Sequence, residues 1–192
     1  VMPNPHKGAT TRKGWARIRP GWFYMGSPTG EYCRDTKEEV LHKVTLTREF
    51  EMMQAEVTQG AFKAKIGRNT TDLKDRKCGD NCPVAATSWN AAVAYCNELS
   101  KEMKVELCYD CTGTVGSAIQ CGYNGKFNSS NAIYNCKGFR LPTEAEWEYA
   151  YRAGSSSGYF NGRISSSKEC LDCSSTHIKP FGVAWYCGNS QN

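Results

Sequence analysis

The sequence predicts an α+β domain of an irregular, loop-rich kind, with short strands, two or three helices and several disulfides. Bulky and polar residues alternate over short stretches between positions 15 and 53, as half-buried strands do. Apolar residues recur at three- and four-residue spacing, with capping residues in place, around 88–103 and 143–152. Eleven cysteines are spread through segments rich in Gly, Asn and Ser, which is how covalently stapled loops read.

Taken in order, residues 1–14 read as an N-terminal extension and 15–192 as the domain. "WARIRPGWFYMGS" alternates, breaks at Pro20-Gly21 and resumes with aromatics, so it predicts a hairpin. In "HKVTLTREFEMM", Val44, Leu46 and Phe50 alternate with polar neighbours and predict one further strand. Thr58 precedes a short helix carrying Ala61, Phe62 and Ile66, with Gly67 as its stop. Ser88 caps a longer helix on which Trp89, Ala92, Val93, Cys96, Leu99 and Met103 share one face. From Cys108 to Cys136 periodicity disappears, which predicts a long loop or an irregular hairpin held by bridges. In "FRLPTEAEWEYAYRAG", Pro142 keeps Leu141 extended, and Thr143 with Glu146 forms a capping box. Glu144, Glu146 and Glu148 lie toward the positive helix end, Arg152 toward the negative one, and Gly154 takes the left-handed closing turn. Trp147, Ala150 and Tyr151 are the expected apolar stripe, with Arg140 placed to pair with a glutamate.

Composition narrows the function classes. A net charge of +5, with Lys and Arg scattered among 19 acidic residues, marks no nucleic-acid groove. No apolar run approaches the roughly 20 residues that span a bilayer, and the start lacks the apolar core of a signal peptide. The chain opens at Val1, as a processed or partial product would.

The cysteines admit two chemistries. Cys108/Cys111 and Cys170/Cys173 are CxxC pairs, the spacing at which two thiolates share a zinc ion. They lie about sixty residues apart, however, and the others sit in loops such as "CGDNCP"; disulfides in an oxidising, extracellular or periplasmic compartment account for that distribution better than zinc does. The structural disulfide candidates are Cys78, Cys82, Cys96, Cys108, Cys111, Cys121, Cys136, Cys170, Cys173 and Cys187. The odd count leaves one thiol unpaired or bonded to another chain, and Cys33, alone in the N-terminal third, is the candidate. Asn69 and Asn128 begin glycosylation sequons.

"PGWFYMGS", "HKVTLTREFEMMQAEVTQGAF", "CPVAATSWNAAVAYCNELS" and above all "GFRLPTEAEWEYAYRAG" resemble, in order, the signature blocks of the formylglycine-generating enzyme family, also called the sulfatase-modifying-factor family. The resemblance runs from about Trp15 to the end and covers the N-terminal part of the family's domain. It implies a compact fold related to the C-type lectins, in which the capped helix is scaffold. It also implies calcium as a cofactor. The family's oxidases use copper held by a cysteine pair beyond a block that this chain does not reach, so the resemblance assigns no catalytic residue and no copper here. Its sulfoxide synthases use iron on three histidines, two in HxxxH spacing; His6, His42 and His177 are well separated in sequence.

The remaining candidates have plainer readings beside the functional ones. His42 reads as structural, Glu144, Glu146 and Glu148 as capping groups, and Trp89, Trp147 and Trp185 as core. Tyr159, Phe160, Trp185 and Tyr186 are candidates for lining a glycan or peptide groove. No catalytic or metal-binding residue is assigned. Two functions follow: a secreted, non-catalytic binding or structural subunit of an extracellular assembly, or the N-terminal part of a copper-dependent oxidase converting a sulfatase cysteine to formylglycine. The cysteine-rich composition favours the first. An incomplete sheet would leave an open edge, so a protein partner or the C-terminal remainder of a precursor is expected to complete it, with no nucleic acid partner and no membrane span.

Overall fold

The computed structural model describes residues 13–68, 79–114, 117–128 and 132–157. The chain divides into two compact units, one of Val1–Gln54 with Pro142–Asn192 and the other of Ala55–Leu141. Among the described residues, three helices and three two-stranded antiparallel sheets make this an α+β fold.

In the first unit, strands β1 (Trp15–Ile18), β2 (Gly21–Met25), β3 (His42–Leu46) and β4 (Phe50–Met53) pair as β1 with β4 and β2 with β3. The expected β1–β2 hairpin is therefore replaced by nested pairing, and the single strand expected over 42–53 is two. The Arg19-Pro20 link explains the first difference. A two-residue hairpin needs positive φ at its first position, which Arg19, a non-glycine residue before proline, disfavours, and the commonest type needs it at the second as well, where Pro20 is locked near −65°. β1 instead runs on toward β2 along one leg of a bent ribbon. Ile18 faces Phe50 and Gly21 faces Leu46, with Arg19 and Pro20 between on one leg and Thr47, Arg48 and Glu49 on the other. The extra residue on the second leg shifts the register by one and bends the ribbon as a bulge does.

Helix α3 (Glu144–Arg152) begins with the expected capping box: Glu146 N–H donates to Thr143 Oγ1 at 3.2 Å, and Thr143 N–H to Glu146 Oε2 at 2.8 Å. It ends in a left-handed turn shared by Ala153 (φ +47) and Gly154 (φ +88). The stripe it buries is not the one expected. Tyr149 lies among Ile18, Phe23 and Leu46, flanked by Ala145 and Ala150, while Trp147 is 53% exposed. Two residues separate Trp147 from Tyr149, about 200° around the helix, so burying one ring turns the other outward. Trp147 stacks instead on Tyr151, centroids 5.1 Å apart.

The second unit holds α1 (Gln59–Ile66), α2 (Trp89–Glu102) and the hairpin β5 (Tyr109–Thr114)–β6 (Ser117–Tyr123). Thr58 caps α1 through Ala61 N–H, and Gly67, at φ +81, closes it with an N–H to Lys63 O. Ser88 caps α2 through Ala91 N–H at 3.2 Å. α2 buries more than one face because it serves two clusters. Val93 and Cys96 join Cys108, Tyr109, Phe127, Ile133 and Cys136; Ala91 and Tyr95 join Phe62, with Leu99 packed alongside. The expected stripe omits Ala91 and Tyr95 of that second flank and includes Met103 and Trp89, which are exposed. The 108–136 segment resolves to the hairpin alternative, with an irregular register after Thr112.

Candidate functional site

Cysteine chemistry dominates the described part of the second unit. Cys108–Cys136 and Cys111–Cys121 are disulfides, so the first CxxC pair is divided between two cystines and does not form half a zinc site. Cys82 is disulfide-bonded as well. Two expectations are corrected. Cys33, taken as the unpaired thiol, is disulfide-bonded: isolation along the sequence does not set distance in the fold. Cys96, taken as a disulfide candidate, is the free thiol among the described residues. It lies on the buried flank of α2 beside a cystine whose sulfurs are already bonded to each other. Burial pushes its thiol up to about 12, against a smaller opposing pull from the Arg140 charge. A thiol so held is neither a nucleophile nor a ready metal ligand at neutral pH. Cys78, Cys170, Cys173 and Cys187 lie outside the described residues.

Around these cystines α2 is tied to the hairpin, and to the backbone at Phe139, by polar groups. Asn97 Nδ2 donates to Tyr109 O at 2.8 Å and approaches Cys111 Sγ at 3.7 Å. Asn90 Oδ1 accepts from Cys121 N–H at 3.0 Å, and the fully buried Ser100 accepts on Oγ from Phe139 N–H at 2.8 Å. Sequence reading missed Asn90, Asn97 and Ser100; polar residues recurring among the apolar positions of α2 were the available signal.

At the start of α2 the hairpin adds an aromatic corner. Tyr109 is buried, and Leu141 N–H donates to its hydroxyl at 3.1 Å; burial pushes its phenol up to about 12, more than that bond pulls it down. Trp89 meets Tyr109 edge-on at 5.7 Å and Tyr123 at 6.3 Å, and Tyr109 stacks on Tyr123 at 5.9 Å. Trp89 and Tyr123 are 46% and 51% exposed. The expectation that Trp89 belongs to the core is thus corrected: as the first residue of α2 it covers the open end of the helix–hairpin contact. Tyr159, Phe160, Trp185 and Tyr186 lie outside the described residues, as does Asn69; Asn128 is exposed.

Two carboxylates of α3 are engaged in structure, while Glu144 is exposed. Glu146 closes the capping box. Glu148 Oε1 accepts from Gly26 N–H at 3.0 Å and pairs with Arg152 at 2.7 Å, while Arg152 Nη2 donates to Gly26 O at 2.8 Å. Arg140 stands over the Tyr134 ring and donates to Leu141 O. His42 donates from Nδ1 to Val40 O at 2.7 Å, which places the proton on that nitrogen.

Calcium takes six to eight oxygen ligands. Among the described residues no three His, Cys, Asp or Glu side chains gather to hold a metal ion. Asp110, in the hairpin, already accepts from Asn124 Nδ2 and Gly125 N–H. Among the described residues, too, no helix is long and apolar enough to cross a membrane. The disulfides mark an oxidising environment.

Comparison with known proteins places the scaffold. The chain is 30% identical over 162 residues to the chaperone protein LppX of Paenibacillus barcinonensis, a match covering 84% of this chain and 52% of that protein. Among solved structures it is similar to Treponema denticola variable protein 1, at a TM-score of 0.56 and 25% identity, over 78% of this chain and 56% of the other. PvdO from Pseudomonas aeruginosa aligns over 50% of this chain and 42% of its own, at 24% identity and a TM-score of 0.41. The chain thus spans about half the length of the relatives it matches. With the sulfatase-modifying factor enzyme 1-like domain model matching residues 2–180, the chain belongs to that family.

Proposed function

We propose that this chain is a secreted, non-catalytic member of its family, extracellular or periplasmic, acting as a binding or structural subunit of an extracellular assembly. One observation carries this reading: the described cysteines serve the scaffold. Cys33, Cys82, Cys108, Cys111, Cys121 and Cys136 are disulfide-bonded, and the one free thiol among them, Cys96, is buried and held protonated. A domain whose thiols are consumed as staples offers a rigid loop surface, and rigidity favours recognition because little ordering remains to be done on binding. The names of the relatives, a chaperone protein and a variable protein, suit recognition better than oxidation. The partner is a protein, or the remainder of a longer precursor, with a glycan or peptide as ligand.

The natural full-length protein, supplied with copper, oxygen and a cysteine-containing sulfatase peptide, is expected to consume no oxygen and form no aldehyde on the peptide. Conversion of the cysteine to formylglycine would overturn the reading and make this chain the N-terminal part of an oxidase.

A further inference from the structure

The two cystines of the second unit differ in access. Cys108 and Cys136 are 0% and 8% exposed, whereas Cys111 and Cys121 are both only partly buried. Cys111 and Cys121 also stand directly opposite one another in the β5–β6 ladder. Their bond joins strands that hydrogen bonds already join, so opening it leaves the hairpin paired. Disulfide exchange requires a thiolate to reach one sulfur and a second thiolate to leave from the other, so access and the surroundings of each sulfur decide its course.

Those surroundings are opposite in sign. At Cys111 Sγ, 3.7 Å away, stands an N–H of Asn97, whose amide also donates to Tyr109 O. At Cys121 Sγ, 3.5 Å away, stands the carbonyl oxygen of Asn90. An N–H donor favours the thiolate form, while a carbonyl oxygen opposes it and accepts from an S–H. Neither sulfur of a disulfide carries a proton, so the Asn90 contact becomes a hydrogen bond only on reduction. The site is therefore matched to the reduced pair, with a thiolate or acceptor at Cys111 and an S–H at Cys121.

We propose that Cys111–Cys121 is a redox-active pair that exchanges with a dithiol, such as the CxxC site of a thiol–disulfide oxidoreductase, by attack at Cys121. The incoming thiolate bonds to Cys121 Sγ, the Cys111–Cys121 bond breaks, and its electron pair leaves on Cys111 as a thiolate facing Asn97. The second thiol of the reductant, deprotonated, then attacks the reductant's own sulfur in the mixed disulfide and expels the Cys121 thiolate; Cys121 takes up one proton and its S–H hydrogen-bonds to Asn90 O, while the Cys111 thiolate takes up the other. The dithiol is oxidised to a disulfide, and Cys111 and Cys121 are reduced to two thiols carrying its two protons.

The test uses the folded chain. Limiting dithiothreitol, an alkylating quench and peptide mapping are expected to label Cys111 and Cys121 about tenfold or more faster than Cys108 and Cys136, with the far-ultraviolet dichroism unchanged. Replacing dithiothreitol by glutathione, a monothiol, is expected to trap the mixed disulfide on Cys121. Equal labelling of both cystines, labelling only as the dichroism collapses, or glutathione on Cys111 would each overturn the proposal.

Discussion

Helix α2 and helix α3 are fastened to their neighbours by different means. α2 lies against a hairpin cross-linked by Cys111–Cys121 and beside loops closed by Cys108–Cys136. α3 is held to the β2–β3 ribbon by the contact of Tyr149 with Phe23, centroids 5.3 Å apart, and by the link between Arg152, Glu148 and Gly26. The difference follows the chain. Residues 42–53 carry a strand pattern and α3 is capped at its start, so backbone hydrogen bonds do most of the ordering there. The described residues between 124 and 141, by contrast, have two 3-10 turns and otherwise irregular backbone, and a cross-link that restricts the unfolded chain substitutes for regular hydrogen-bonded ladders.

Breaking each fastening separates the two cases. Replacing Cys108 and Cys136 together by serine opens a loop of 28 residues and is expected to lower stability by about 3.5 kcal/mol, read as a drop in the urea midpoint. Arg152→Ala comes next. It leaves Glu148 with no guanidinium in a site where both side chains are mostly buried, for an expected loss of about 2 kcal/mol; unlike the serine pair, this variant is to stay as reductant-sensitive as the parent. The smallest effects sharpen the contrast through one buried tyrosine hydroxyl from each region, Tyr109 beside α2 and Tyr149 on α3. Tyr109→Phe strips Leu141 N–H of its acceptor and is expected to cost about 1 kcal/mol. Tyr149 has a buried hydroxyl without a hydrogen-bond partner among the described residues, so Tyr149→Phe is expected to leave stability unchanged or raise it by up to about 1 kcal/mol. A comparable loss at both positions would mean that the two cores treat their hydroxyls alike.

Local signals were legible wherever a few adjacent residues decide the outcome. Thr58, Ser88 and Thr143 cap their helices as the sequence indicates, because a cap acts over three residues. What escaped was set across space. Which strands pair depends on the Arg19-Pro20 link together with residues some thirty positions on. Whether Trp147 or Tyr149 faces inward depends on where Phe23 and Leu46 lie. The same holds for sulfur: composition announces that bridges exist, but Cys33 and Cys96 exchange their expected roles because pairing is a matter of distance. The anchoring of α2 through Asn90, Asn97 and Ser100 is likewise invisible until the hairpin is in place.

Gly138 carries a consequence for how this scaffold can change over generations. A methyl group there would sit 1.9 Å from the Glu106 carbonyl oxygen and 3.0 Å from Ser100 Oγ, and a backbone oxygen cannot swing aside as a side chain end can. No single replacement at that site is compatible with the present path of the chain. A descendant with any other residue at 138 must reroute the strand of backbone at 106 in the same lineage, so the two places are bound to drift together or not at all.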